Sequence, residues 1–340
     1  SKTLLVFFFF TIAAITVLVY QQGLFGAFIF DDHGNIQENT QIRVTELNTS
    51  NLVEAAMSGR AGPLKRPIAM LSFALNYYFA EGYHYFSFKI TNVIIQVFCA
   101  WLLFIFYLQI IQLASIQKST TIKKQTLPFI AFSIALLWAV HPINLTSVLY
   151  IVQRMTSLST LFTLATLIFY LKARCNNQPS TFKNIIFYSA SFIGFLLAIF
   201  SKENALLIPL YCLLIEWVFF YQKSPWTLVS SLSQRNKRAI GLSLSLITIA
   251  LGLYVLNYAN NGYDNRAFTL TERVLTEARV LCFYISLIVL PRINALGLFH
   301  DDIVLSSSTI DPWTTLVALI VIISLIIVAI QAREKKPLFA

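Results

Sequence analysis

Apolar residues run in long unbroken stretches along most of the chain, and polar residues gather in the breaks between them. The first stretch is "TLLVFFFFTIAAITVLVY", Thr3–Tyr20. Comparable runs follow at Ser87–Leu113, Leu127–Val140, Thr156–Leu171, Ile185–Phe200, Ala205–Tyr221, Ile240–Asn257 and Trp313–Ile330. A helix crosses a hydrocarbon layer with about 20 apolar residues, because it satisfies every backbone N–H and C=O within itself. The pattern therefore predicts an all-α polytopic membrane protein with about eight spans. A further run, Val280–Leu290, is too short to cross comfortably, so Thr276–Pro291 is expected to be re-entrant or interfacial. The long interval Gln21–Phe86 should carry interfacial helices at "NLVEAAM" and "PIAMLSFALNYYF". A single membrane domain over residues 1–340 is expected, with this first loop at 21–86 and further polar loops at 258–312.

Composition agrees: 57% of the residues are hydrophobic and only 12% are charged, far from a soluble domain. Lys2 before the first run looks like the start of a signal peptide. The residues that follow, "QQGLFGAFIF", offer no small-residue cleavage site, so the run is expected to stay as a span. The four cysteines (Cys99, Cys175, Cys212 and Cys282) stand singly in or beside apolar runs, and are expected to be small buried hydrophobes.

The net charge of +10 is unevenly spread. With Ser1 inside, the alternate loops "SIQKSTTIKKQ", "KARCNNQPSTFK" and "YQKSPW…SQRNKR" and the tail "REKKP" hold most of the 25 Lys and Arg residues, and of the acids only Glu216 and Glu334. The positive-inside rule selects this orientation. The basic excess is a topology signal, not a nucleic-acid footprint.

On that assignment five polar clusters share the outer face. "FIFDDHGN" puts Asp31 and Asp32 just past the first span, where a carboxylate near lipid is costly unless it is paired or used. A positioned carboxylate can take a proton from an attacking hydroxyl; a solvated turn is the plainer reading. "PLKRPIAM" offers Lys65 and Arg66 for a phosphate at headgroup depth, or as anchors of an interfacial helix. "HPINLTSVLYIVQRM" adds His141 and Arg154, and "SKEN" adds Lys202 and Glu203 between two apolar runs. The last loop carries His300, Asp301 and Asp302, a weak pattern for a divalent cation. Together they point to one site with acids, a phosphate clamp and a lipid-accessible groove. A transporter or a membrane scaffold would also hold outward polar groups, but matched halves with broken helices are not visible.

Taken in order, "FIFDDHGNIQEN", "RPIAMLSFALNYYF", "HPINLTSVLYIVQRM", "SKENALLIPL" and "LPRINALGLFHDDIVLSSS" resemble bacterial relatives of the transmembrane O-mannosyltransferases with tetratricopeptide repeats. These belong to the C-type glycosyltransferases, which draw on polyprenyl-phosphate-linked sugars. The resemblance implies a C-type helical core and a transfer site facing the periplasm of a bacterial inner membrane, or the lumen if the chain resides in the endoplasmic reticulum. Asp31 or Asp32 would be the base of an inverting transfer. Arg66, His141, Arg154 and Lys202 would bind the donor phosphate, with Lys65, Glu203, His300, Asp301 and Asp302 in support. The implied partners are a lipid-linked sugar donor, membrane lipids and an exported protein or glycan acceptor. A metal is optional, with a divalent cation as the candidate. An oligosaccharyltransferase or glycan ligase would differ in the size of the group moved, and the family's repeat domain is either missing or lies beyond Ala340.

Overall fold

A computed structural model of the chain describes residues 2–116, 123–176, 181–220, 266–298, 300 and 303–335. Its described residues form helices and turns, with no strand among them. The helices are α1 (Lys2–Tyr20), α2 (Thr49–Met57), α3 (Pro67–Phe79), α4 (Tyr85–Ile116), α5 (Leu127–Ala139), α6 (Leu145–Leu149), α7 (Arg154–Cys175), α8 (Thr181–Ile199), α9 (Ile208–Ile215), α10 (Leu270–Val289) and α11 (Thr314–Lys335). Among the described residues, six segments are long and apolar enough to cross a membrane: Lys2–Phe25, Tyr85–Ser115, Ile151–Cys175, Phe182–Ile199, Glu203–Phe220 and Thr314–Ala332. The expected span at Ile240–Asn257 lies outside the described residues. The chain divides into two compact units, Ser1–Ile215 and Glu216–Ala340.

In the first unit, the run expected to cross at Leu127–Val140 stops at Ala139 and turns by 49° into Pro142–Leu149. The break follows from His141-Pro142, since a residue before proline is pushed out of helical geometry. Carbonyls freed there need donors in an apolar setting. α4 supplies them: Gln96 Nε2 donates to Ala139 O at 3.2 Å, and Asn92 Nδ2 donates to Val148 O at 3.1 Å and Ile151 O at 3.3 Å. The Tyr20 hydroxyl donates to the same Ala139 carbonyl at 3.1 Å. One polar stripe on a long apolar helix thus stabilises the broken span.

The main core of this unit lies where the first loop meets the ends of α4 and α7, with Phe28, Ile36, Met70, Phe73, Phe88, Ile151 and Met155 in one buried cluster. α3, expected as an interfacial helix, buries Ala69, Met70, Phe73 and Ala74 in it completely. α2 forms as expected, with Asn48 as its N-cap accepting the Asn51 amide at 2.8 Å. Among the described residues no disulfide forms. Cys99 is buried as expected, but Cys175 is exposed and Cys212 and Cys282 are half-buried.

In the second unit, the short run at Val280–Leu290 proves to be the second half of α10. A capping box at Thr269 and Glu272 starts this helix of 20 residues well before the apolar run. Its first half carries Glu272, Arg273, Glu277 and Arg279, which is why hydropathy alone misses it. Its backbone is continuous, without the non-helical stretch expected of a re-entrant loop.

Candidate active site

The candidate residues of the first unit are organised by seven consecutive residues, Tyr150–Thr156, running from α6 through a single 3-10 turn into α7. Each adjacent cluster attaches to a different member of this segment.

The acid pair divides its labour. Asp32 is completely buried, and Asp31 is exposed. The Asp32 carboxylate accepts the Val152 amide at 2.7 Å on one oxygen and the Ile29 amide at 3.1 Å on the other. Its pKa is raised by burial, against the pull of those amides and of the Lys89 charge. Lys89 was not anticipated, although a lysine inside the apolar run "FSFKITN" is a signal available in the sequence. Of the two acids that the sequence left as alternatives, Asp31 is the open one, and the chain turns inward at Asp32, whose oxygens take two backbone amides.

Asp31 is held without being covered. Its N–H donates to the Tyr150 hydroxyl at 2.9 Å, and its carbonyl accepts Asn35 Nδ2 at 3.0 Å. The preceding Phe30 has φ +44°, a left-handed conformation that costs a non-glycine residue about 1–3 kcal/mol. A strained backbone fixed by one tertiary bond, to Tyr150, and one local bond, from Asn35, presents the Asp31 carboxylate to solvent in a defined place. Burial raises the pKa of Tyr150, whose ring belongs to the core.

Arg154 corrects the sequence expectation most sharply. It is fully buried, and its guanidinium is consumed by the fold. Nε donates to Asn92 Oδ1 at 2.6 Å, Nη1 to Ser72 O at 3.1 Å, and Nη2 to Asn76 Oδ1 and Phe88 O, both at 2.7 Å. The Phe73 and Phe88 rings flank it at 4.7 and 5.4 Å. No face is left for a donor phosphate. The His141 Nδ1 accepts the Ile143 amide at 3.2 Å and caps the turn after the broken span.

The other two cations remain in place. Lys202 is half-buried and donates through Nζ to Thr156 Oγ1 at 2.7 Å and Gln153 Oε1 at 3.4 Å. Burial lowers its pKa, the Arg66 charge lowers it further, and Glu203 opposes both. Arg66 donates Nε to Glu203 Oε2 at 3.0 Å, pairs with the same oxygen through Nη2 at 2.9 Å, and reaches Met155 Sδ through Nη1 at 3.2 Å. Lys65 and Arg66 both have left-handed backbones, and the Lys65 side chain is exposed. Arg66 and Lys202 are therefore adjacent, partly exposed cations tied to Met155 and Thr156, while Asp31 is tied to Tyr150.

His300 lies in the second unit, edge-on to Phe283 at 5.1 Å, in a cavity of about 280 Å3 that it shares with Arg273, Glu277 and Tyr284 of α10. Asp301 and Asp302 lie outside the described residues. Among the described residues no three His, Cys, Asp or Glu side chains converge as a bound cation would require.

No protein-family profile matches the chain, and no solved structure matches it. Two curated human proteins are similar to it. Protein O-mannosyl-transferase TMTC3 is 26% identical over 256 residues, covering 73% of this chain and 26% of that protein. Protein O-mannosyl-transferase TMTC4 is 23% identical over 202 residues, covering 57% of this chain and 27% of that protein. The chain thus spans little more than a quarter of the length of either relative. Its apolar helices and this similarity identify an integral membrane protein distantly related to the protein O-mannosyl-transferases.

Proposed function

We propose that the chain is a membrane glycosyltransferase that moves a sugar from a polyprenyl-phosphate donor to a hydroxyl acceptor, a Ser or Thr of an exported protein, on the outer face of the membrane. One observation carries the reading: a single segment, Tyr150–Thr156, holds an exposed, backbone-fixed acid through its first residue and a half-buried lysine through its last. The similarity to protein O-mannosyl-transferases supports it.

In this reading Asp31 accepts the proton of the acceptor hydroxyl as its oxygen attacks the anomeric carbon. The bond from that carbon to the phosphate oxygen breaks, and its electron pair leaves on the polyprenyl phosphate. Arg66 and Lys202 stabilise the growing negative charge, an electrostatic contribution that is largest in a partly dehydrated site. Attack opposite the leaving group inverts the anomeric centre. Asp32 does no chemistry; it fixes the turn that aims Asp31. The transporter reading needs the broken span to open its carbonyls to a substrate, whereas here Tyr20, Gln96 and Asn92 occupy them.

The test is transfer of radiolabelled mannose from polyprenyl-phosphate mannose to a Ser/Thr-rich peptide by the purified protein in lipid. Asp31→Asn should abolish transfer while donor binding persists. Undiminished turnover in Asp31→Asn removes the base and the reading with it.

A further inference from the structure

Glu203 has a carboxylate with two different fates. Oε2 receives both Arg66 contacts, at 2.9 and 3.0 Å. Oε1 is shut off from solvent and has no hydrogen-bond donor. A buried carboxylate oxygen left unmatched is costly, and in native proteins such an atom marks a site with a task to perform. The nearest cation in sequence, Lys202, turns instead to Thr156 and Gln153.

What covers Oε1 is a short strap of the first loop. Gly62 sits directly on it: a Cβ at that position would fall 2.0 Å from the oxygen, and φ there is +76°. The strap runs on to Lys65 and Arg66, two successive left-handed residues, an arrangement that a non-glycine backbone keeps only under restraint. The Arg66–Glu203 pair is one restraint, beside the Arg66 contact with Met155 and the Ile68 amide on the Phe200 carbonyl. The strap is therefore strained and held at one end by a cation that an incoming anion also attracts.

We infer that Glu203 Oε1 is the acceptor for a hydroxyl of the sugar next to the donor phosphate, reached when Gly62 and its neighbours lift away. The chemistry is specific. A phosphate held by Arg66 and Lys202 lies within the reach of one sugar ring from Glu203, and a carboxylate beside a cation pair recognises a hydroxyl but repels a second phosphate. The site then selects a glycosyl phosphate over a bare polyprenyl phosphate or a phospholipid, so the spent donor is released in favour of a loaded one. This inference rests on the proposed assignment of Arg66 and Lys202 to the donor phosphate.

The test compares two probes on the intact protein in nanodiscs: dodecyl phosphate and dodecyl mannosyl phosphate. The hydroxyl–carboxylate bond should make the sugar-bearing probe bind about 10- to 100-fold more tightly. In Glu203→Gln the preference should fall to about threefold or less while dodecyl phosphate still binds, which also shows that the variant is folded. A set of monodeoxy mannosyl probes on the unmutated protein needs no substitution, and one of them should lose the preference. If dodecyl phosphate binds but neither the wild type nor the deoxy series shows a sugar preference, the hydroxyl role is wrong and the phosphate assignment stands. A preference that persists in Glu203→Gln overturns the role as well. If neither probe binds the wild type, the phosphate assignment fails and this inference fails with it.

Discussion

Replacing Asp32 by Asn separates the two acids in a way no reading of adjacent carboxylates can. The wild-type side chain accepts one backbone N–H on each oxygen, from Val152 at 2.7 Å and Ile29 at 3.1 Å. Asparagine keeps one acceptor and turns its amide donors towards the other N–H. Burial already works against the wild-type charge, so the cost of the change is the buried N–H left unmatched, about 1–3 kcal/mol. That is a substantial part of the 5–15 kcal/mol that typically holds a domain together. Asp31 is exposed, and its backbone N–H holds the Tyr150 hydroxyl whichever side chain it carries, so Asp31→Asn should change stability by less than about 0.5 kcal/mol. Thermal unfolding in detergent, followed by size-exclusion fluorescence, should place Asp32→Asn about 5 °C below the wild type and Asp31→Asn beside it. Transfer should be lost in Asp31→Asn despite its normal stability. A stable but inactive Asp32→Asn paired with an active Asp31→Asn would refute the division of roles.

Arg154→Ala should fail to yield folded protein, because it leaves two asparagines and two carbonyls unmatched beside a cavity; a well-folded Arg154→Ala with only weakened donor affinity would return this residue to the phosphate site. Lys202 has its pKa lowered, so its charge, and with it dodecyl phosphate affinity, should fade with rising pH before an ordinary lysine would titrate. Lys202→Arg should move that loss to higher pH, and an unchanged alkaline profile would remove Lys202 from the site. Single cysteines at Asn35 and Ser307 should react with an impermeant reagent from the outer side, and one at Gln125 only after the membrane is opened. Protection of Ser307 alongside a labelled Asn35 would mean that α10 crosses and that the His300 loop faces inward.

Spans were legible because length and hydropathy are local properties. Lys2–Tyr20, Tyr85–Ile116 and Thr314–Lys335 lie within a few residues of the runs that predicted them. The site was legible only as a set of residues. Arg154 reads as an unexplained charge in an apolar run, and nothing nearby in the sequence says that Asn76 and Asn92, 78 and 62 positions away, are its partners. Tyr150, Gln153 and Thr156 carry no charge and drew no attention, yet they hold the acid and the lysine in place. The signal that could have found them is their density: a tyrosine, a glutamine, an arginine and a threonine within seven residues of a membrane segment. α10 was missed for a different reason: hydropathy ignored the Thr269–Glu272 box that marks where the helix begins.

The bond between Asp31 and Tyr150 joins residues 119 positions apart, and it has a consequence for biosynthesis. A chain made and inserted from its N-terminus delivers its acid loop long before the partner exists. Until α4 and the broken span are in place and the chain has returned to Tyr150, Asp31 is an ordinary carboxylate on a loose loop, and Asp32 is an unpaired charge in search of water. The cluster gathered on Tyr150–Thr156 is complete only once the chain has been laid down through Lys202 and Glu203. A truncated or misinserted product therefore carries the acid sequence without the means to use it.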